Sequence, residues 1–132
     1  MGGRKAPRVL VVDDHPRLRD AVCAALRSYG CLVQASANGR EALERLARDH
    51  FDAVVSDVEM PVMDGVTLRE HVLAWHPHLH RRFLLCSGLP LPPALAHDAS
   101  VAFLPKPVSA TALWTAVRAL LAQPSETPPP SG

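Results

Sequence analysis

The chain has 132 residues, enough for one domain with an aliphatic core, and 48% of them are hydrophobic while 5% are aromatic. Fourteen Lys and Arg against thirteen Asp and Glu leave a net charge of +1, which gives no general case for nucleic acid or an anionic membrane. Three cysteines without paired spacing argue against a disulfide scaffold or a zinc site, and no apolar run is long enough to span a bilayer.

The opening residues, MGGRKAPRV, lack the apolar core of a secretion signal, so a soluble, cytoplasmic chain without membrane insertion is expected. RVLVVDD then reads as a strand buried on both faces, because its apolar residues do not alternate with polar ones. HPRLRDAVCAALRSYG reads as a helix. Pro16 sits near its first turn, Leu18, Val22, Ala25 and Leu26 repeat at helical spacing, and Gly30 ends it. CLVQAS is a short strand. NGREALERLARDH is a helix starting at Asn38 and Gly39, with Ala42, Leu43 and Leu46 on one face.

FDAVVSD is a third strand, again ending in aspartate, and VEMPVMDG is a loop. VTLREHVLAWH is a helix broken by Pro77, and RRFLLCSG is a fourth strand. In LPLPPALAHDA the crowded prolines leave room only for a short, late helix. VAFLPKP gives a fifth strand, and SATALWTAVRALLA a last helix with Ser109 as its N-cap and Leu113, Ala116, Val117 and Leu120 at helical spacing. Trp75 and Trp114 are expected in core or half-core positions. The remaining residues, QPSETPPPSG, form a proline-rich tail without a core of its own.

Five strand–helix alternations predict an α/β fold: a doubly wound parallel sheet of five strands with helices on both faces. Such sheets bind ligands beyond the carboxyl ends of their strands. There this chain places its chemistry: Asp13 and Asp14 after the first strand, Asp57 after the third, Ser87 after the fourth and Lys106 after the fifth. Three carboxylates on one rim repel each other. A hard divalent cation such as Mg2+ offsets that repulsion, and it suits carboxylate and phosphate oxygen. An ammonium and a hydroxyl alongside would hold a phosphoryl group on one carboxylate.

VLVVDDHP, VVSDVEMPVMDG, LLCSG and FLPKP, in that order, resemble the receiver domain of two-component response regulators over roughly residues 8–121. The resemblance implies the flavodoxin-like strand order 2-1-3-4-5. It implies a receiver domain at 8–121, an N-terminal extension at 1–7 and a flexible tail at 122–132. Asp57 would accept a phosphoryl group from a phosphohistidine donor, either a sensor histidine kinase or a histidine phosphotransfer protein. Asp14 would bind Mg2+ directly, Asp13 mainly through water, and Glu59 through its backbone carbonyl. Ser87 and Lys106 would hold phosphoryl oxygens, and Phe103 would be the aromatic that moves on phosphorylation. The Lys106–Pro107 bond would be cis. Asp64 would cap the helix after the loop, Gly65 would relax the backbone, and Pro61 would fix the loop's shape. Phosphotransfer and dephosphorylation would be self-catalysed, with no separate substrate turned over.

His15 reads as a rim neighbour rather than a ligand, and His71, His76, His78 and His80 as a partly charged surface near Arg81 and Arg82. Gly88, where the family usually has alanine, would loosen the loop after Ser87. The span from Ser87 to Lys106 is shorter than the family's usual one, which puts output through the fourth helix in question. A protein output partner and a homodimer both stay open, and no direct nucleic acid binding is expected. The alternative function is a degenerate receiver, an adaptor that works without phosphorylation. Phosphatase-like hydrolases and flavodoxins share the sheet, but Glu59 stands where the hydrolases want a second aspartate, and DDHPRL would repel an FMN phosphate.

Overall fold

The computed structural model describes residues 5–123. Its elements are β1 (Arg8–Val12), α1 (Pro16–Ser28), β2 (Leu32–Ser36), α2 (Gly39–Arg48), β3 (Ala53–Asp57), α3 (Gly65–Trp75), a 3-10 turn (Pro77–Leu79), β4 (Phe83–Ser87), α4 (Pro93–Ala96), β5 (Ala102–Pro105) and α5 (Ala110–Leu121). All strand pairs are parallel and the order is β2-β1-β3-β4-β5. No helix among the described residues is long and apolar enough to cross a membrane.

The unbroken apolar runs are explained by the two layers of helix. Alternate strand residues face opposite sides. Val9, Val11, Val55 and Leu84 pack with Cys23 and Leu26 of α1 and Leu113, Val117 and Leu120 of α5. Leu10, Val12, Val54, Phe83 and Leu85 pack with Ala42 and Leu46 of α2 and Leu68 and Val72 of α3. Each Val, Leu and Phe among them contributes about 1.5–3 kcal/mol by leaving water.

Local signals set the ends of the helices. Pro16 occupies the first turn of α1. Gly30, at φ +94°, ends that helix in the left-handed region while its N–H bonds Arg27 O. Asn38, Asp64 and Ser109 each accept a backbone N–H from three residues on, capping α2, α3 and α5. The proline-rich segment yields only the four residues of α4, none of them buried.

Leu18 is 47% exposed, because Cys23 and Leu26 take the buried face of α1 and Leu18 lies in its first turn, near the rim. One expectation fails. Trp75 is 76% exposed, because it is the last residue of α3 and lies past the turn that buries Leu68 and Val72. Trp114 is half-buried and stacks on Tyr29, with ring centroids 5.2 Å apart. The stretch expected as a tail lies almost entirely outside the described residues.

Candidate phosphoryl-acceptor site

Strand pairing continues just past the strand ends and sets the height of each functional side chain. Asp13 N donates to Ser36 O at 3.1 Å, Val58 N to Cys86 O at 2.9 Å, and Lys106 N to Ser87 O at 2.9 Å. With Asp57 in register with Cys86, and Ser87 with Pro105, the five expected side chains share one rim. The Lys106–Pro107 bond is cis.

Asp13, Asp14, His15 and Asp57 each offer a ligand atom, and these atoms all lie within 4.8 Å of one another. Asp57 is 4% exposed, and Lys106 Nζ lies 2.9 Å from its Oδ1. Asp13 Oδ1 accepts from His15 N at 2.9 Å, while the Arg19 guanidinium donates to Asp13 O at 2.9 Å. Asp14 Oδ1 is shut off from solvent and takes no aligned hydrogen bond, with His15 Nδ1 3.2 Å away. His15 is therefore inside the acidic group, not merely beside it, although its ring is largely exposed.

The electrostatics agree with that crowding. Burial pushes the Asp57 carboxyl above its usual value; Lys106 opposes the shift, and the charges of Asp13 and Glu59 add to it. Burial alone would lower Lys106, but the carboxylates of Asp57 and Asp13 outweigh it and hold the ammonium above its usual value. The Asp57 shift comes mainly from burial; the smaller contributions of Asp13 and Glu59 are repulsions that a bound cation would offset. Three carboxylates with an unpartnered oxygen form a hard donor set, and that set fits Mg2+.

Around the acids, the loops give the rim its shape. A Cβ on Gly65 would collide with the Asp57 carbonyl oxygen and touch Val58 Cα at 3.0 Å. Gly65 is thus required by close approach rather than by backbone freedom, and its N–H bonds Val58 O at 2.8 Å. Gly88 has open space around it, so an alanine would fit there. Val62 holds φ at +74° while Met63 N bonds Pro61 O at 2.8 Å, a tight turn that leaves the valine outside. Phe103 is half-buried against the α2/α3 layer of the core.

Two features were not expected. One is a cavity of about 600 Å³ between α1 and α5, lined by Leu18, Val22, Val108 and Leu113 and reaching Asp57 and Lys106. The other is that the Glu59 carboxylate turns towards Ser87, with both of its oxygens within 2.8 Å of the hydroxyl. Away from the site, His50 stacks on His78 with centroids 5.0 Å apart, and His76 meets His78 edge-on, whereas His71 is exposed on α3.

A parallel sheet of this order, with acids and a lysine on its carboxyl rim, defines a class, and the comparisons give its family. The response regulator receiver domain model matches residues 9–118, so the chain belongs to that family. It is 40% identical over 118 residues to the sensor kinase CckA of Brucella abortus, covering 86% of this chain and 12% of the kinase. It is 34% identical over 114 residues to the C4-dicarboxylate transport transcriptional regulatory protein DctD of Rhizobium meliloti, covering 86% of this chain and 25% of that protein. The chain therefore spans a quarter or less of either relative. Among solved structures, the chemotaxis response regulator CheY4 of Vibrio cholerae superposes with a TM-score of 0.78 at 29% identity, covering 88% of this chain and 99% of CheY4. The receiver domain of the hybrid histidine kinase CckA superposes with a TM-score of 0.71 at 30% identity, covering 86% of this chain and 98% of that one.

Proposed function

We propose that the chain is a phosphorelay receiver in which Asp57 accepts a phosphoryl group from a phosphohistidine donor, a sensor histidine kinase or a histidine phosphotransfer protein. The observation that carries this reading is the buried Asp57 carboxylate held between the acidic pair and Lys106 Nζ. Asp14, Asp57 and the Glu59 backbone carbonyl would hold Mg2+ directly and Asp13 through water. When bound, the ion supplies positive charge that offsets the build-up of negative charge during transfer.

A carboxylate oxygen of Asp57 attacks phosphorus. The new O–P bond forms as the donor's N–P bond breaks, and the electron pair leaves with the imidazole. Lys106 stays beside Asp57 and balances charge on a phosphoryl oxygen. Later, water attacks the phosphorus, the bond to Asp57 breaks, and inorganic phosphate leaves. Ser87 and Phe103 pass the change to the surface and so switch binding to an output partner. The receiver domain is assigned to 8–121, with a cytoplasmic location that matches a cytoplasmic donor.

A protein donor suits the rim better than a free metabolite does. Leu18, Val62 and Leu89 are exposed apolar side chains on three different segments around the acids, and a docking protein would cover them. The test is phosphotransfer from a histidine kinase to wild type and to Asp57→Asn. An alkali-labile acyl phosphate on wild type and no label on the variant are expected. Labelling of the variant at the wild-type rate would sink the assignment.

A further inference from the structure

The Ser87 hydroxyl is already engaged. Its oxygen lies 2.8 Å from Glu59 Oε1 and 2.7 Å from Glu59 Oε2, so its single proton goes to that carboxylate. The same oxygen accepts from Leu89 N at 2.9 Å. Ser87 is buried at the end of β4, whereas Glu59 is exposed on the loop after β3. One side chain therefore ties two loops together across the rim, and the hydroxyl has no proton left to donate to a group on Asp57.

We propose that Glu59 is an anionic latch: its carboxylate holds Ser87 in the unphosphorylated protein, and a phosphoryl oxygen on Asp57 must displace it to gain the same proton. This rests on Asp57 being the phosphoryl acceptor. Carboxylate and phosphoryl oxygens are both anionic acceptors, so they compete for one donor on like terms. The competition weakens the phosphoryl group's hold on Ser87 by the strength of the latch. It also couples phosphorylation to the loop leading into α4, because release of Ser87 unties that loop from the loop carrying Glu59. The tether has little competition from packing, since α4 buries none of its residues. Glu59 is thus a positioning residue that acts through Ser87.

Charge repulsion alone would also make Glu59 oppose a phosphoryl group, and the experiment separates the two. Glu59→Ala, Ser87→Ala and the double variant form a cycle, read in two ways. In EDTA, urea unfolding should show about tenfold non-additivity in the unfolding constant, the size of one hydrogen bond to a partly exposed charged group. With Mg2+ and beryllofluoride as the phosphoryl analogue, Glu59→Ala should bind the analogue several-fold more tightly than wild type, and most of that gain should vanish in the Ser87→Ala background. Equal gains in both backgrounds would mean that Glu59 acts by charge only and would overturn the latch, as would strict additivity in EDTA. If wild type bound no beryllofluoride with Mg2+ while unfolding in EDTA was still non-additive, the acceptor reading would fail and the latch would reduce to a structural contact.

Discussion

Replacing Asp57 by asparagine should make the metal-free protein more stable. Asp57 has ligand atoms of Asp13 and Asp14 within 4.8 Å and Lys106 Nζ at 2.9 Å. At an effective dielectric of about 20, each repulsion is then at least about 3.5 kcal/mol and the attraction about 5.7 kcal/mol. The two repulsions exceed the one attraction by about 1 kcal/mol, and the asparagine also escapes the desolvation of a buried charge. Its amide can donate to the neighbouring acids. A gain of about 1–2 kcal/mol follows, equivalent to roughly 3–8 °C in Tm for a domain of this size. The assay is paired thermal and urea unfolding of wild type and Asp57→Asn, in EDTA and in excess Mg2+. In Mg2+ the gap should close or reverse, because wild type gains binding free energy, about 2.7 kcal/mol at a hundredfold excess over Kd. An Asp57→Asn protein less stable than wild type in EDTA would refute the reasoning, since Lys106 would then outweigh the acids.

Further outcomes follow from other parts of the molecule. Gly65→Ala should destabilise by about 1–3 kcal/mol and slow phosphotransfer, because the new Cβ must push back the Asp57 carbonyl; denaturant midpoints and labelling rates check both. Burial, with nearby positive charge, holds His76 and His78 below the ordinary histidine value of 6.5. The unfolded chain then binds the extra protons, so their contribution is intact above pH 6.5 and is lost as pH falls through their folded values. Tm should drop between pH 7.5 and 5.5, and the double variant His76→Gln/His78→Gln should flatten that slope; an unchanged slope would contradict the assignment. Cys23, Cys31 and Cys86 are buried with their thiols raised, Cys86 to about 12, so a thiol reagent at pH 8 should label them slowly until urea unfolds the chain.

Much of this molecule can be read from the chain because its signals are local. Non-alternating strands, a glycine after α1, capping residues at Asn38, Asp64 and Ser109, and prolines around α4 each act within a few residues. The five rim residues are legible for another reason: each directly follows an apolar run, so the sheet itself gathers them. What depends on a loop's path is not legible. Glu59 and Ser87 meet across 28 residues, and nothing near either position in the sequence indicates the contact. His15 shows the opposite problem, because adjacency to two acids in sequence did not say which way its ring would turn. Helical spacing alone does not fix the core face of α1, because it fits several overlapping stripes; packing chose the one through Cys23 and Leu26 and left Leu18 exposed. His50 escaped the histidine group because it is 28 residues from His78 in sequence and reaches it only through the fold.

The sheet order has one more consequence. β3, which carries Asp57, lies in the middle, while β5, which leads to Lys106, forms an edge and has no fully buried residue. The four-residue α4 does little to cover that edge. The two halves of the ion pair therefore hang from the most and the least anchored parts of the same sheet. Local opening in such a molecule begins where few apolar contacts resist it, so β5 amides should exchange with deuterium long before those of β1 and β3. Each opening would carry the ammonium away from the carboxylate and back. If Asp57 is the acceptor proposed above, readiness to hold a phosphoryl group would fluctuate in the resting molecule, and anything that clamps this edge would raise it without touching a charged residue.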